Sequence, residues 1–319
     1  MKKKYNSKIH KISPLNVGLF CGLILFILVF GAIIYFTIIN SLKFDNDFLG
    51  VGSTPNLFGL PREWTLKNWV VAFKGFAAPM KSTGGANIGT AGFLQLLLYS
   101  FLYAFLAAFM LTTSCCIMGY ATGRFKVWTN KIIYGFVIIA MVLPVVGALP
   151  AQVDIMESLG IYNTWFGVII SKFNFISVYY MIFHATFSSI PMSYTEAAKI
   201  DGAGNLRILV QIMLPLVRIT FVTIFLLNFV GLWNDYSGPM VFLKGYPNIA
   251  VGLYYFQRQT DGVINRNWLK QYSGGKINST KDTPVQLAAA VITLIPVVIL
   301  FLTFRKQLIG NISMGGLKE

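Results

Sequence analysis

The sequence predicts an all-α integral membrane protein with six transmembrane helices, and three features of the 319-residue chain carry that expectation. Only 12% of the residues are charged, against about 25% in an average soluble domain, while 55% are hydrophobic and the mean hydropathy is +0.65. The apolar residues fall in runs long enough to cross a bilayer. Lys and Arg gather between those runs, so the net charge of +15 reads as topology signals and headgroup contacts, not as a nucleic-acid surface.

In order, the expected spans are residues 17–39, 92–118, 132–149, 165–187, 219–243 and 287–304. The first follows Lys2, Lys3, Lys4, Lys8 and Lys11, as the apolar part of a signal peptide would. It is roughly 23 residues long, enough for about 35 Å of helix, and no small-x-small cleavage pattern follows it. An uncleaved transmembrane helix is therefore expected. The third span contains Pro144 and Gly147 and is followed by Pro150, which predicts a bent or unwound outer end. The last, at about 18 residues, is at the short end of the spanning range.

Charge placement orients the segments. With the N-terminus inside, the inner stretches carry 14 Lys/Arg against 3 Asp/Glu, and the longer outer ones 11 against 7. That bias places the 1–16 and 305–319 tails in the cytoplasm and the 40–91 and 244–285 loops outside, around a 92–304 core. In the first outer loop Thr65 can cap a short helix with Trp69, Val70 and Phe73 on its apolar side. The second holds Tyr254, Tyr255, Phe256, Trp268 and Tyr272, which suit either docking of an external partner or interfacial anchoring.

The chain offers little chemistry of its own. Cys21, Cys115 and Cys116 all lie in apolar runs, and His10 and His184 are too few for most metal or acid–base schemes. The sequence contains no GxxxxGK[ST] phosphate loop and no convincing nucleophile–base pair.

The most specific segment is the inner loop 191–215, PMSYTEAAKIDGAGNLRILVQIMLP. Thr195 or Ser193 can cap a short helix running to Asp201. Ala198 and Gly202 are four apart, so one face of that helix is nearly bare backbone and allows close approach of another surface. Gly202 and Gly204 permit a sharp turn into a second helix, 205–213, that ends before Pro215. A rigid cytoplasmic knob is expected between the fourth and fifth spans. Taken alone, the EAA and GAG patterns would equally suit an amphipathic connector lying on the membrane.

The whole string resembles the cytoplasmic coupling-loop signature of ABC importer permeases, which Glu196, Ala197, Ala198, Gly202, Ile212, Leu214 and Pro215 match. Asp201 and Ala203 extend the match toward the carbohydrate-uptake branch. Tyr120, Ala121, Arg124 and Phe125 resemble its YAxxRF stretch; 159–167, LGIYNTWFG, its LGLxNTxxG stretch; and Trp233, Asn234 and Asp235 its WNDF segment, with Tyr236 in place of Phe. Thr65, Leu66, Asn68 and Trp69 are similar to a TLxNY sequence, and 310–318 to a GLTAGAVKG ending. The kind most resembled is the second permease subunit of maltose-type importers.

That resemblance implies a type I ABC importer permease fold and a non-catalytic role. Two ATPase partner subunits would bind ATP and Mg, a second permease would complete the pathway, and an extracellular binding protein would deliver a carbohydrate, an oligosaccharide by the same likeness. Glu196, Ala197, Ala198, Asp201, Gly202, Ala203, Leu214 and Pro215 would form the ATPase-coupling site. Two departures stand out: Ile219 replaces a second proline, implying a straighter entry to the fifth span, and 259–281 reads as an insertion.

Lys172 and Asp235 fall inside expected spans, so each should face protein or a wet pathway. With Trp233, Asn234 and Tyr236 they form a candidate translocation-pathway set, the alternative being polar packing between helices or snorkelling of Lys172. An ion-driven secondary transporter would need buried acidic relays and internal symmetry, neither evident in the sequence. A non-transporting scaffold would leave the loop string unexplained, and a membrane enzyme lacks catalytic residues.

Overall fold

The computed structural model describes residues 14–50, 54–125, 127–143, 147–258, 266–277, 279 and 282–310. The expectations placed on the N-terminal lysines, Pro144, part of the 259–281 insertion and the ending from Asn311 lie outside those residues.

The chain begins with α1 (Pro14–Ser41), followed by α2 (Asp45–Leu49) and α3 (Lys67–Gly75). A hairpin of β1 (Ala77–Lys81) and β2 (Asn87–Gly92) then interrupts the otherwise helical fold, pairing Ala77 with Gly92 and Ala78 with Ala91. Next come α4 (Phe93–Arg124), α5 (Thr129–Val142), α6 (Ala148–Ser158), α7 (Trp165–Ser171) and α8 (Val178–Ser189). Residues 191–215 then form α9 (Ser193–Ile200), α10 (Asn205–Ile208) and a π-helical turn, Leu209–Met213, leading straight into α11 (Leu214–Trp233). Finally there are α12 (Ser237–Phe242), α13 (Ile249–Arg258), α14 (Arg266–Ser273) and α15 (Thr283–Gly310).

Among the described residues four helices, not six, are long and apolar enough to span a bilayer: Leu15–Ser41, Phe93–Arg124, Asn205–Trp233 and Thr283–Arg305. The six-helix expectation is corrected at its third and fourth members. α5 has 14 residues, about 21 Å of helix, against the roughly 30 Å of a hydrocarbon core. The fourth apolar run breaks between Ser171 and Val178 because its polar residues bond locally. The Asn174 side-chain oxygen accepts from the Ile176 N–H (2.9 Å), and the Ser177 hydroxyl caps α8 by accepting from Tyr179 N–H (3.1 Å). The interrupted backbone is satisfied by α4, whose Ser114 hydroxyl donates to the Asn174 carbonyl at 2.7 Å.

The fifth span is displaced as well, running from Asn205 to Trp233. Helix does not end before Pro215. The π turn carries it through, and Pro215 lies two residues beyond that turn, inside the continuous helix Asn205–Trp233, where the wider π turn accompanies the missing N–H.

The chain divides into two compact units, Met1–Ala72 with Ile264–Val291, and Phe73–Val263 with Ile292–Glu319. Within the first, α1 is apolar around its circumference and its spanning window is wholly unburied, as a lipid-facing helix requires. The start of α3 is anchored by Asn68, whose amide donates to the carbonyls of Ser41 (2.9 Å) and Lys43 (2.6 Å). Thr65 accepts from Lys67 N–H at 3.1 Å, as expected, but the buried apolar side chains of α3 are Val71 and Ala72, while Phe73 is exposed.

Within the second unit α4 is the central helix, packed on α8 and α11. Its approach to α8 depends on two glycines one turn apart. A Cβ on Gly119 would lie 2.5 Å from the Phe183 Cβ, and one on Gly123 2.8 Å from the His184 carbonyl oxygen.

Candidate functional site

The knob is built as two short helices around a left-handed corner. The α9 helix ends at Asp201, whose N–H bonds to the Ala197 carbonyl (3.1 Å); Gly202 follows at φ 78°, a conformation that strains any side-chain-bearing residue. The Ala203 N–H then closes on the Ala198 carbonyl at 2.9 Å. These bonds leave the corner compact, with Asp201 and Gly202 exposed.

The residues expected to form the coupling site divide into exposed and buried ones. Glu196, Ala197, Asp201 and Gly202 are exposed. Ala198 is 5% exposed and sits in the chain's own core with Tyr120, Phe187, Ile208 and Met213, so it supports the knob from within. Ala203 and Leu214 pack partly against the same cluster, and Pro215 is exposed at the entry to α11. Three large apolar side chains of the knob that the motif did not single out are exposed as well: Tyr194, Ile200 and Leu206 are 50%, 87% and 76% exposed. Their signal in sequence was only that a short helix and its turn carry apolar residues at spacings that no single core face could bury.

Under the knob lies Arg124, in the last turn of α4 and 4% exposed. Its guanidinium donates to the carbonyls of Ile190 (2.6 Å), Pro191 (3.2 Å) and Phe187 (3.3 Å), and to the Thr195 hydroxyl in α9. Tyr120, one turn earlier, donates to the Asn205 carbonyl at 3.4 Å.

The pathway residues divide differently. Lys172 caps the C-terminus of α7, with its ammonium 6.0 Å from the centre of the Tyr103 ring. The Tyr103 hydroxyl donates to Asp235 at 2.7 Å, and Asp235 also accepts from the Ser237 hydroxyl (2.8 Å) and the Gly238 N–H (3.0 Å). Asp235 therefore organises the turn between α11 and α12, and Tyr103 stands between it and Lys172. Trp233 is buried, 3% exposed, with its ring 5.9 Å from that of Phe229. Asn234 is exposed and bonds back to the Val230 carbonyl (3.0 Å).

Tyr236 is exposed and lies nearly parallel to Tyr254, with ring centres 5.5 Å apart. A cleft of about 370 Å³ opens beside this pair, lined among others by Trp233, Asn234, Tyr236, Tyr254, Gln257 and Arg258. The guanidinium of Arg258 lies 4.4 Å from the Tyr254 ring centre. Three of the five candidate pathway residues thus share this cleft; Lys172 and Asp235 are not among its lining.

Residues 116–311, more than half of the chain and including the whole knob, match the family described as binding-protein-dependent transport system inner membrane component. The chain is 26% identical over 259 residues to the diacetylchitobiose uptake system permease protein NgcG of Streptomyces coelicolor, covering 81% of this chain and 76% of that one. It is 29% identical over 210 residues to the maltodextrin transport system permease protein MalD of Streptococcus pneumoniae, covering 64% and 68%. A chain in the crystal structure of a bacterial ABC transporter involved in the import of the acidic polysaccharide alginate superposes with a TM-score of 0.68 at 19% identity, over 91% of this chain and 95% of the other, a likeness of fold. With the family match running through the end of α4, the whole knob and the last two spanning helices, the chain belongs to the inner membrane components of binding-protein-dependent transport systems.

Proposed function

We propose that the chain is one of two permease subunits in an ATP-driven importer whose cargo is a carbohydrate, an oligosaccharide in particular. The observation that carries this reading is the knob, an exposed two-helix projection supported from inside by Ala198, Thr195 and Arg124. Glu196 and Ala197 are exposed on it, as are the apolar side chains of Tyr194, Ile200 and Leu206, polar and apolar groups of the kind a protein groove takes. The carbohydrate class is supported by the relatives, which are named for diacetylchitobiose and maltodextrin transport.

In this reading two ATPase subunits hold ATP and Mg, and one of them receives the knob. Closure of the ATPase pair displaces the knob as a rigid body, and the helices joined to it tilt, changing which side of the membrane the pathway faces. Glu196 is the polar anchor, Ala197 the close contact, Gly202 and Ala203 the corner, Asp201 the end of the first helix, and Leu214 and Pro215 the junction with α11. The knob, the 1–16 tail and the 305–319 tail then lie in the cytoplasm. The 40–91 and 244–285 loops lie outside, available to an extracellular binding protein.

Cargo passes the cleft at the outer end of α11, where the Tyr236–Tyr254 pair offers a stacking surface and Asn234 and Gln257 offer hydrogen bonds to sugar hydroxyls. Asp235 and Lys172 hold that region in shape through Tyr103.

The test is mass spectrometry of the complex captured with this chain from its own membrane in mild detergent. Recovery of a Walker-motif ATPase, a second permease and a binding protein is expected. Reproducible recovery of the chain alone, under conditions that keep a known membrane complex intact, would overturn the reading.

A further inference from the structure

The polypeptide joins the knob directly to only two helices, α8 through Ile190–Met192 and α11 through the π turn. A third connection is made entirely by side chains. Arg124, at the end of α4, bonds at once to the last carbonyls of α8, to the Pro191 carbonyl leading into the knob, and to Thr195 inside α9. Tyr120 reaches Asn205, the first residue of the knob's second helix. The end of α4 therefore holds both halves of the knob.

Arg124 is a costly choice for that position. It is 4% exposed, each of those four acceptors is a neutral oxygen, and its Nε is buried without a partner. A desolvated cation facing only carbonyls and a hydroxyl is less stable than a neutral amide donor in the same space would be. What the guanidinium provides and an amide does not is a planar fork rigid enough to tie three segments together. Gly119 and Gly123 bring α4 and α8 to backbone contact directly behind the fork, so a displacement has little slack to absorb it.

The far end of the same helix reaches the outer cluster. Tyr103 lies about 30 Å along α4 from Arg124 and holds Asp235 at the turn where the cleft begins. We propose that Arg124 is the positioning residue through which the knob drives α4, making α4 a push-rod from the ATPase to the cargo cleft. This rests on the reading of the knob as the ATPase contact.

The experiment uses the complete complex, with its binding protein, in proteoliposomes, and measures cargo taken up per ATP hydrolysed. Arg124→Gln keeps some hydrogen bonding and cannot bridge all three segments. Thr195→Val removes only the knob end of the fork. In the complexes that retain the ATPase, cargo per ATP should fall about tenfold in Arg124→Gln and less in Thr195→Val, a larger loss than that of hydrolysis per bound ATPase. If Arg124→Gln does not accumulate in the membrane, Thr195→Val decides alone. An unchanged cargo-to-ATP ratio, whether both rates stay high or both fall together, would overturn the push-rod. A wild-type chain that captures no ATPase would instead remove the underlying functional reading, and that is seen before any variant is made.

Discussion

Tyr103 donates a 2.7 Å hydrogen bond to the carboxylate of Asp235, joining α4 to the turn after α11 across 132 residues of sequence. The same carboxylate accepts from Ser237 and from the Gly238 N–H, and Asn248 donates to the Asp235 carbonyl at 2.7 Å. One side chain thus sets the geometry of the cleft's outer wall. Removing the phenol hydroxyl in Tyr103→Phe should destabilise the chain by about 1–3 kcal/mol, the range for a charge-assisted hydrogen bond. Thermal unfolding in detergent checks this; an unchanged midpoint would mean that water replaces the phenol without loss.

Asp235 also predicts a pH dependence. Burial pushes its carboxyl up, but the hydrogen bonds from Gly238, Tyr103 and Ser237 and the nearby Lys172 charge outweigh burial and hold it below the usual carboxylate value. A depressed folded-state value means that the stabilisation is fully present above about pH 4 and is lost as pH falls through the folded value. Wild-type melting temperature should therefore drop more steeply as pH falls below about 4 than that of Asp235→Asn. Parallel profiles for the two proteins would show that Asp235 does not contribute to the acid limb.

Close packing of α4 on α8 gives a prediction with an internal control. Gly119→Ala places a methyl 2.5 Å from the Phe183 Cβ, so one helix must move, at a cost of about 1–3 kcal/mol. At Gly135, in α5, nothing lies within 4 Å of the added carbon. Gly135→Ala should be neutral or mildly stabilising, through helix propensity alone. Melting temperatures of the two variants separate a packing effect from a general intolerance of glycine replacement.

The knob was legible in the sequence because its chemistry is local: two short helices and the glycine corner between them all occur within 25 or so residues, although the cap expected from Ser193 or Thr195 is not formed and α9 starts after Met192 with no side-chain cap. The same locality explains what was missed. Ala198 was expected to contact a partner, since it lies four residues from Gly202, yet it is buried in the cluster with Tyr120 and Phe187, which are distant in sequence, while Gly202 stays exposed. The division of the fourth apolar run was hidden in hydropathy, where Asn174 and Ser177 hardly lower the average. It became visible only through the bond from Ser114, 60 residues away, that satisfies the broken backbone. Arg124 stood in a recognisable stretch, but nothing adjacent to it reveals that its acceptors lie 63 to 71 residues ahead.

The two neighbouring alanines of the knob should therefore respond in opposite ways. Ala197 is exposed beside Glu196, so Ala197→Trp should leave folding intact and reduce the recovered ATPase by about tenfold through a clash at the contact. Ala198 is buried, so Ala198→Leu overfills the cluster with Tyr120 and Phe187 and should lower the melting temperature of the isolated chain, by an amount corresponding to about 1–3 kcal/mol. Capture of the ATPase would then fall only as far as the knob itself is disturbed. Measuring both quantities for both variants settles which face docks. If Ala197→Trp assembled normally while Ala198→Leu lost the ATPase with an unchanged melting temperature, the contact would lie on the opposite side of α9, and the knob would have to rotate away from Tyr120 to make it.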